Sequence, residues 1–344
     1  MQKTAEDREP LSVTVCNPYI PANEYRQGVV EALECIGPFL SESDFGALVL
    51  KKLRLEDPEP SEKQYLQAAV ELTVCTHYAR FFPEGFVYED KVMPPRDVDC
   101  SFKGEGYKFN VEVKCADYTA KQKIDESGAF IMRAVGRMDD YGDAATMLQE
   151  VFASGGNQLL KGLHMDNKLK DYLLDAHGKF PDASLAGQYN VLVVGCDDPV
   201  DIMQWEGYLT GSQGLFTEQS YHPTDAYSNV DMVVLTNLYH RHKAVEKKDK
   251  LTSHWWFGES FSLLYANPRS TKPEPMALAF AKTLHFYNND LVQYRMEGDA
   301  PKRDLQSLAI PHFVGKVLMA NGRYLFQPGK PRKLESDGTV QAEN

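Results

Sequence analysis

Two largely apolar segments, 189–196 (YNVLVVGC) and 230–237 (VDMVVLTN), holding the apolar runs Val191–Val194 and Met232–Leu235, constrain this chain more than any other feature. A strand with one face in water alternates apolar and polar side chains, whereas one apolar throughout must be covered on both faces. Both runs therefore predict buried strands in a sheet flanked by helices. Helical patterns before and between them supply the cover. They are expected at 22–35, at 41–55 with Ser41 as N-cap, and from Ser61 to about Phe81. Ser61-x-x-Gln64 reads as a capping box, and Leu66, Ala69, Val70, Thr73, His77 and Phe81 follow at helical spacing. The expected class is α/β.

The chemistry concentrates between 96 and 117 (RDVDCSFKGEGYKFNVEVKCAD). Two alternating segments, 98–102 and 109–115, flank Gly104-Glu105-Gly106, which predicts an antiparallel hairpin. Alternation puts Glu112 and Lys114 on one face and Val111, Val113 and Cys115 on the other. A glutamate and a lysine on one face of an otherwise apolar strand break the pattern of a core strand. With Asp99 on the partner strand nearby, two carboxylates and an ammonium would converge. Such hard oxygen donors suit Mg²⁺ or Mn²⁺, and a lysine there can orient a metal-bound water.

Asp99 followed thirteen positions later by Glu112-Val113-Lys114 resembles the active-site motif of the PD-(D/E)xK nuclease superfamily. That family often has a proline just before its aspartate. Here Pro94-Pro95 come earlier and Asp97-Val98 intervene, so Asp97 or Asp99 could match; the apolar alternation continues through Asp99. The predicted order of helix, three strands, helix and strand also resembles that family's core. The resemblance implies a restriction-endonuclease-like mixed central sheet flanked by helices, with an N-terminal helical extension. It implies a metal-dependent phosphodiesterase: Asp99 and Glu112 would hold Mg²⁺ or Mn²⁺, the Val113 carbonyl would complete the shell, and Lys114 would orient the attacking water. The preceding helix often contributes a glutamate in this family, which points to Glu71; a solvent-facing glutamate is the alternative. A Gln or Lys on the following helix would match Gln158 and Lys161, one turn apart on a helix expected at 158–177. DNA is the implied substrate, with RNA as the rival. A catalytically inactive nuclease-like binding or assembly subunit is the reading from another class. A homodimer or a partner protein is compatible with either.

The remaining chain adds limits. A net charge of −12 argues against whole-surface attraction to nucleic acid and leaves room for a local basic groove. The densest basic run, His240-Arg241-His242-Lys243 with Lys247, Lys248 and Lys250 behind it, is a candidate phosphate contact through Arg241 and Lys243. Metal ligation by His240 and His242 is less favoured. The aromatics of Ser253-His254-Trp255-Trp256 are expected either to stack on bases or to cap the core. Six cysteines without CxxC spacing read as reduced core thiols rather than a zinc site. No run approaches the ~18–20 apolar residues of a membrane span, and the charged start is not a secretory signal, so a cytoplasmic location is expected. The expected divisions are an extension at 1–60, a core at 61–270 with an insertion at about 118–155, a helical region at 271–326 and a disordered tail at 327–344. A short strand is expected near 11–15 and others at 86–90 and 261–265. A glycine- and aromatic-rich loop is expected at 200–229, and a helix at 275–291.

Overall fold

A computed structural model describes residues 14–134, 137–138, 140–182, 185–243, 254–284, 323–327 and 330–334. In chain order these form α1 (Glu24–Ile36), α2 (Glu42–Ala47), α3 (Glu62–Phe81), β1 (Val87–Met93), β2 (Arg96–Gly104) and β3 (Tyr107–Cys115). Next come α4 (Thr119–Asp125), β4 (Phe130–Met132), α5 (Tyr141–Ser154), β5 (Leu159–Lys161), α6 (Asp166–Lys179), β6 (Gln188–Gly195) and α7 (Pro199–Thr210). The remainder is β7 (Met232–Thr236), α8 (Leu238–Lys243), β8 (Ser262–Ala266), α9 (Glu274–Thr283), β9 (Arg323–Gln327) and β10 (Lys330–Leu334).

The expected α/β class holds. A mixed sheet runs β1-β2-β3-β6-β7-β8 and is extended at one end by the β9–β10 hairpin. β1, β2 and β3 are antiparallel neighbours, β3, β6 and β7 are parallel, and β8 returns antiparallel. β6 and β7, the two apolar runs, lie at the centre and are buried along almost their whole length. The β2–β3 turn is the two residues Glu105 and Gly106, both at positive φ. That backbone matches the twist of a hairpin, and glycine adopts it without a Cβ clash.

The two sheet faces take different helices. Phe102 stacks on Tyr78 of α3 with ring centroids 4.0 Å apart, and Phe109 meets Phe280 of α9 at 5.5 Å. Strand alternation then sends Asn110, Glu112 and Lys114 to the opposite face, against α6. A buried amide ladder fixes that helix. Asn110 donates to Asn190 (2.8 Å), and Asn190 donates to the carbonyls of Pro181, just past α6, and Asn229. The N-terminal helix shares the same core through Tyr25, Val29 and Leu33. Tyr25 Oη lies 2.8 Å from both Tyr65 Oη and His242 Nδ1. His77, expected in the core, is buried with Nε2 2.9 Å from the Thr283 carbonyl.

Several expectations are corrected. The helix expected at 41–55 is α2 followed by a π-turn, Leu48–Lys52, and the chain then breaks at Arg54, whose φ is positive. The helix expected to open at Gln158 does not: 159–161 pair as β5 with β4, and α6 starts at Asp166. Gly155-Gly156 is a turn, and the short apolar run after it suits strand and helix equally. The loop expected at 200–229 begins with α7, whose first turn is capped by Asp198 accepting from the Asp201 N–H. Residues 330–334, expected in a disordered tail, pair as β10, because main-chain pairing needs no apolar side chains. Residues 14 and 15 of the expected first strand are in no strand, and 11–13 lie outside the described residues. So do Lys247, Lys248 and Lys250, the helix expected beyond Leu284, and most of the tail.

Candidate active site

β2 and β3 pair from Gly104↔Tyr107 to Cys100↔Val111, and one step further the ladder gives way. There Asp99 Oδ2 accepts the Val113 N–H at 2.6 Å, a side chain standing in for the missing strand partner. A strand residue's N–H and C=O point to the same side, so the Val113 carbonyl faces the same parting. Continuing the register sets Asp99 opposite Glu112. Two carboxylates therefore meet where the strands separate.

Glu112 is only 1% exposed, and its two oxygens differ in circumstance. Oε1 receives Lys114 Nζ at 2.8 Å and Lys179 Nζ, from the last turn of α6, at 2.6 Å. Oε2 is buried without a hydrogen-bond partner. Lys114 also reaches Asp175 of α6 at 2.6 Å. Burial works against the Lys114 ammonium, yet Glu112 and Asp175 outweigh it and hold its pKa above the ordinary value. Asp99 goes the other way. Burial first, then the negative charge of Glu71 and Glu112, push its carboxyl well above the usual range, with the Val113 N–H and Lys179 only partly opposing. The site thus crowds carboxylates, and Asp99 bears the cost as a raised pKa.

Of the residues expected at the site, Asp99, Glu112 and Lys114 come together. Glu71 of α3 lies near enough to act on Asp99, but Lys52 engages it at 2.6 Å with Tyr88 Oη at 3.4 Å. Asp97 sits on β2 beside exposed Arg96 and joins none of this group's hydrogen bonds or ion pairs. Gln158 and Lys161 do not share a helix face and do not join the site. The Gln158 carbonyl accepts from Phe130, and Lys161 lies 4.7 Å over the Tyr141 ring. The residues that α6 does contribute, Asp175 and Lys179, were missed; the i, i+4 spacing of an acid and a base was the available signal.

The basic run is also corrected. Arg241 is 1% exposed and donates to the Glu259 carbonyl at 2.6 Å, so it offers no surface for phosphate. Lys243 pairs with buried Asp197 at 3.1 Å. His254 and Trp255 are buried, and Trp255 packs on His242 with centroids 4.6 Å apart, so they cap the core. The cysteines form no disulfide, and Cys75, Cys100 and Cys196 are buried.

A second charged group lies at the carboxyl ends of β6 and β7. Buried Lys121 meets Asp198 (2.6 Å), Asp125 (3.0 Å) and Asp197 (3.6 Å). Asp201 accepts from the Asp197 N–H at 2.8 Å and Trp205 Nε1 at 3.0 Å. Burial, with like charge from Asp198 and Asp197 outlasting Lys121, pushes Asp201 up to about 7. Burial likewise pushes Asp231 to about 6. An unfolded aspartate titrates near ~4. Between there and about 7 the folded chain binds more protons, so this stabilisation is complete below ~4 and is lost as pH rises through 7. Urea unfolding is therefore expected to show stability falling from pH 5 to pH 8, with a shallower fall in Asp201→Asn. An unchanged slope in the variant would remove Asp201 as the source.

Among the described residues, no three His, Cys, Asp or Glu side chains stand together as a ready metal site. Mg²⁺ keeps several waters and needs only one or two carboxylates. Asp99, Glu112 with its orphaned Oε2, and the Val113 carbonyl are oxygen donors of that kind. No described helix is long and apolar enough to cross a membrane. Compared with protein-family models, curated proteins and solved structures, the chain matches none.

Proposed function

We propose that this protein is a metal-dependent nuclease of the PD-(D/E)xK type, built on a restriction-endonuclease-like core and acting on DNA. The observation that carries the reading is the Asp99–Glu112 pair at the strand parting, with Lys114 on the same face and Glu112 Oε2 unpartnered. Asp99, Glu112 and the Val113 carbonyl would hold Mg²⁺ or Mn²⁺. When bound, the ion supplies a water acidified toward neutrality and positive charge for the scissile phosphate. Lys114, kept protonated by Glu112 and Asp175, presents a fixed ammonium toward charge developing on phosphate oxygens. Lys179 holds Glu112 Oε1, leaving Oε2 as the oxygen free to ligate.

One observation favours the other class. With Lys114 and Lys179 both on Glu112, its charge is already compensated without any ion, as a catalytically inactive binding subunit would allow. The test is incubation of plasmid, linear duplex, single-stranded DNA and RNA with the protein in Mg²⁺, Mn²⁺ or EDTA. Cutting in metal and none in EDTA is the expected result, and the polymer cut separates DNA from RNA. No cutting of any polymer would overturn the nuclease in favour of the binding subunit.

A further inference from the structure

Away from the strand parting, the segment between β3 and β6 encloses a cleft that the proposed chemistry does not use. It is lined by Arg137, Met138, Tyr141, Gly142, Lys161, His164 and Asp166, with a volume of about 180 Å³. That far exceeds the ~10–15 Å³ that admits one water. Among the described residues, its walls carry three basic side chains and one acid. Asp166 takes Arg137 at 2.6 Å on Oδ2 and His164 Nδ1 at 3.0 Å on Oδ1. The Arg137 guanidinium is also braced 4.1 Å from the Tyr221 ring. Asp166 is thereby committed to two partners. Lys161 has no carboxylate partner among the described residues; its ammonium lies 4.7 Å over the Tyr141 ring. Among the described residues, the cleft therefore holds an ammonium with no carboxylate partner beside a braced guanidinium and an imidazole.

We infer that this cleft binds a phosphate group, with Lys161 as the charge that holds it and Arg137 and His164 beside it. Two sources share that chemistry: the backbone of a polynucleotide and a free nucleotide. The first rests on the nuclease reading and has a geometric ground. α6 runs from the cleft, at Asp166, to the candidate active site, at Asp175 and Lys179. The nine helical steps from Asp166 to Asp175 span ~14 Å of helix. Phosphates follow one another every ~3.4 Å of axis along one strand of duplex DNA. A strand cut at the parting would then place a phosphate in the cleft about four nucleotides away.

The test uses the full chain and Lys161→Gln, an exposed substitution that leaves the Arg137–Asp166–His164 group intact. Fluorescence anisotropy in EDTA, where no cutting occurs, measures binding of a short labelled duplex over a range of salt. Calorimetry measures binding of adenosine monophosphate. The expected result is duplex binding weakened about three- to tenfold in the variant, with its salt slope reduced by about one. A loss confined to adenosine monophosphate would assign the phosphate to a free nucleotide. Equal affinity of both proteins for both probes, or no binding of either by the wild type, would overturn the inference. Because no arm needs catalysis, a weakened variant in a protein that cuts nothing would sink the nuclease reading and leave the cleft standing.

Discussion

Lys114→Ala is expected to cut nucleic acid at least ~100-fold more slowly than the wild type while remaining folded. The reason is that the proposed reaction gives Lys114 one chemical task, while its structural task is modest. Its ammonium is 2.8 Å from Glu112 Oε1 and 2.6 Å from Asp175. Asp175 is half exposed, so that ion pair contributes little to stability. Glu112 is different, because a buried carboxylate stripped of all partners would be costly. Lys179 remains at 2.6 Å in the variant, so Glu112 keeps a countercharge. Denaturation within about 1 kcal/mol of wild type, with cleavage lost, is the expected pair of readings. Lys179→Ala provides the contrast. It also removes an ammonium from Glu112 but leaves Lys114 in place, so a smaller loss of rate is expected. If Lys114→Ala cuts at the wild-type rate, Lys114 has no part in the chemistry.

Phe102→Ala is expected to be the costliest of these changes for the fold, at about 3–5 kcal/mol. Phe102 is fully buried on β2, stacked on Tyr78 of α3 at 4.0 Å and against Phe82 and Phe109 at 4.9 and 5.0 Å. Truncation removes these contacts and leaves a cavity that the sheet and α3 cannot close without moving. The position matters to the site as well. Phe102 is three residues from Asp99 on the same strand, and its stacking sets how β2 lies against α3. Urea denaturation would read the loss, and a change under about 1 kcal/mol would show that the hairpin is anchored elsewhere. Phe102→Leu keeps most of the volume and should recover more than half of the lost stability.

What could be read from the residues follows a physical divide. The hairpin with a turn at Gly104-Glu105-Gly106, the capped start of α3 and the strands β6 and β7 are local patterns; each forms where the pattern lies, the turn itself narrowing to Glu105 and Gly106. Alternation alone assigns Glu112 and Lys114 to one face. It cannot say what covers that face, which is why Asp175 and Lys179 came only from the packing of α6. Gln158 and Lys161 were misplaced because Leu159-Leu160-Lys161 carries no period that separates strand from helix. The basic run at 240–243 misled for another reason. Charge in sequence suggests solvent, but Arg241 is buried by donating to a main-chain carbonyl, a partner no composition reveals. Trp255 and His254 are buried for a similar reason, since Tyr25 of α1 reaches both from far along the chain. Asp99 and Glu112 were legible as types. Their meeting at a broken ladder, with Asp99 capping the Val113 N–H, was not.

The central claim is that Asp99 and Glu112 together hold a divalent ion where β2 and β3 part. Single-turnover cleavage at rising Mg²⁺, by wild type and by Glu112→Gln, tests it most directly on whichever polymer is cut. The wild type should saturate with Mg²⁺ and stop in EDTA, and Glu112→Gln should fall at least ~100-fold below it at every Mg²⁺ concentration. Cleavage by Glu112→Gln at the wild-type rate, or wild-type cleavage that persists in EDTA, would contradict it.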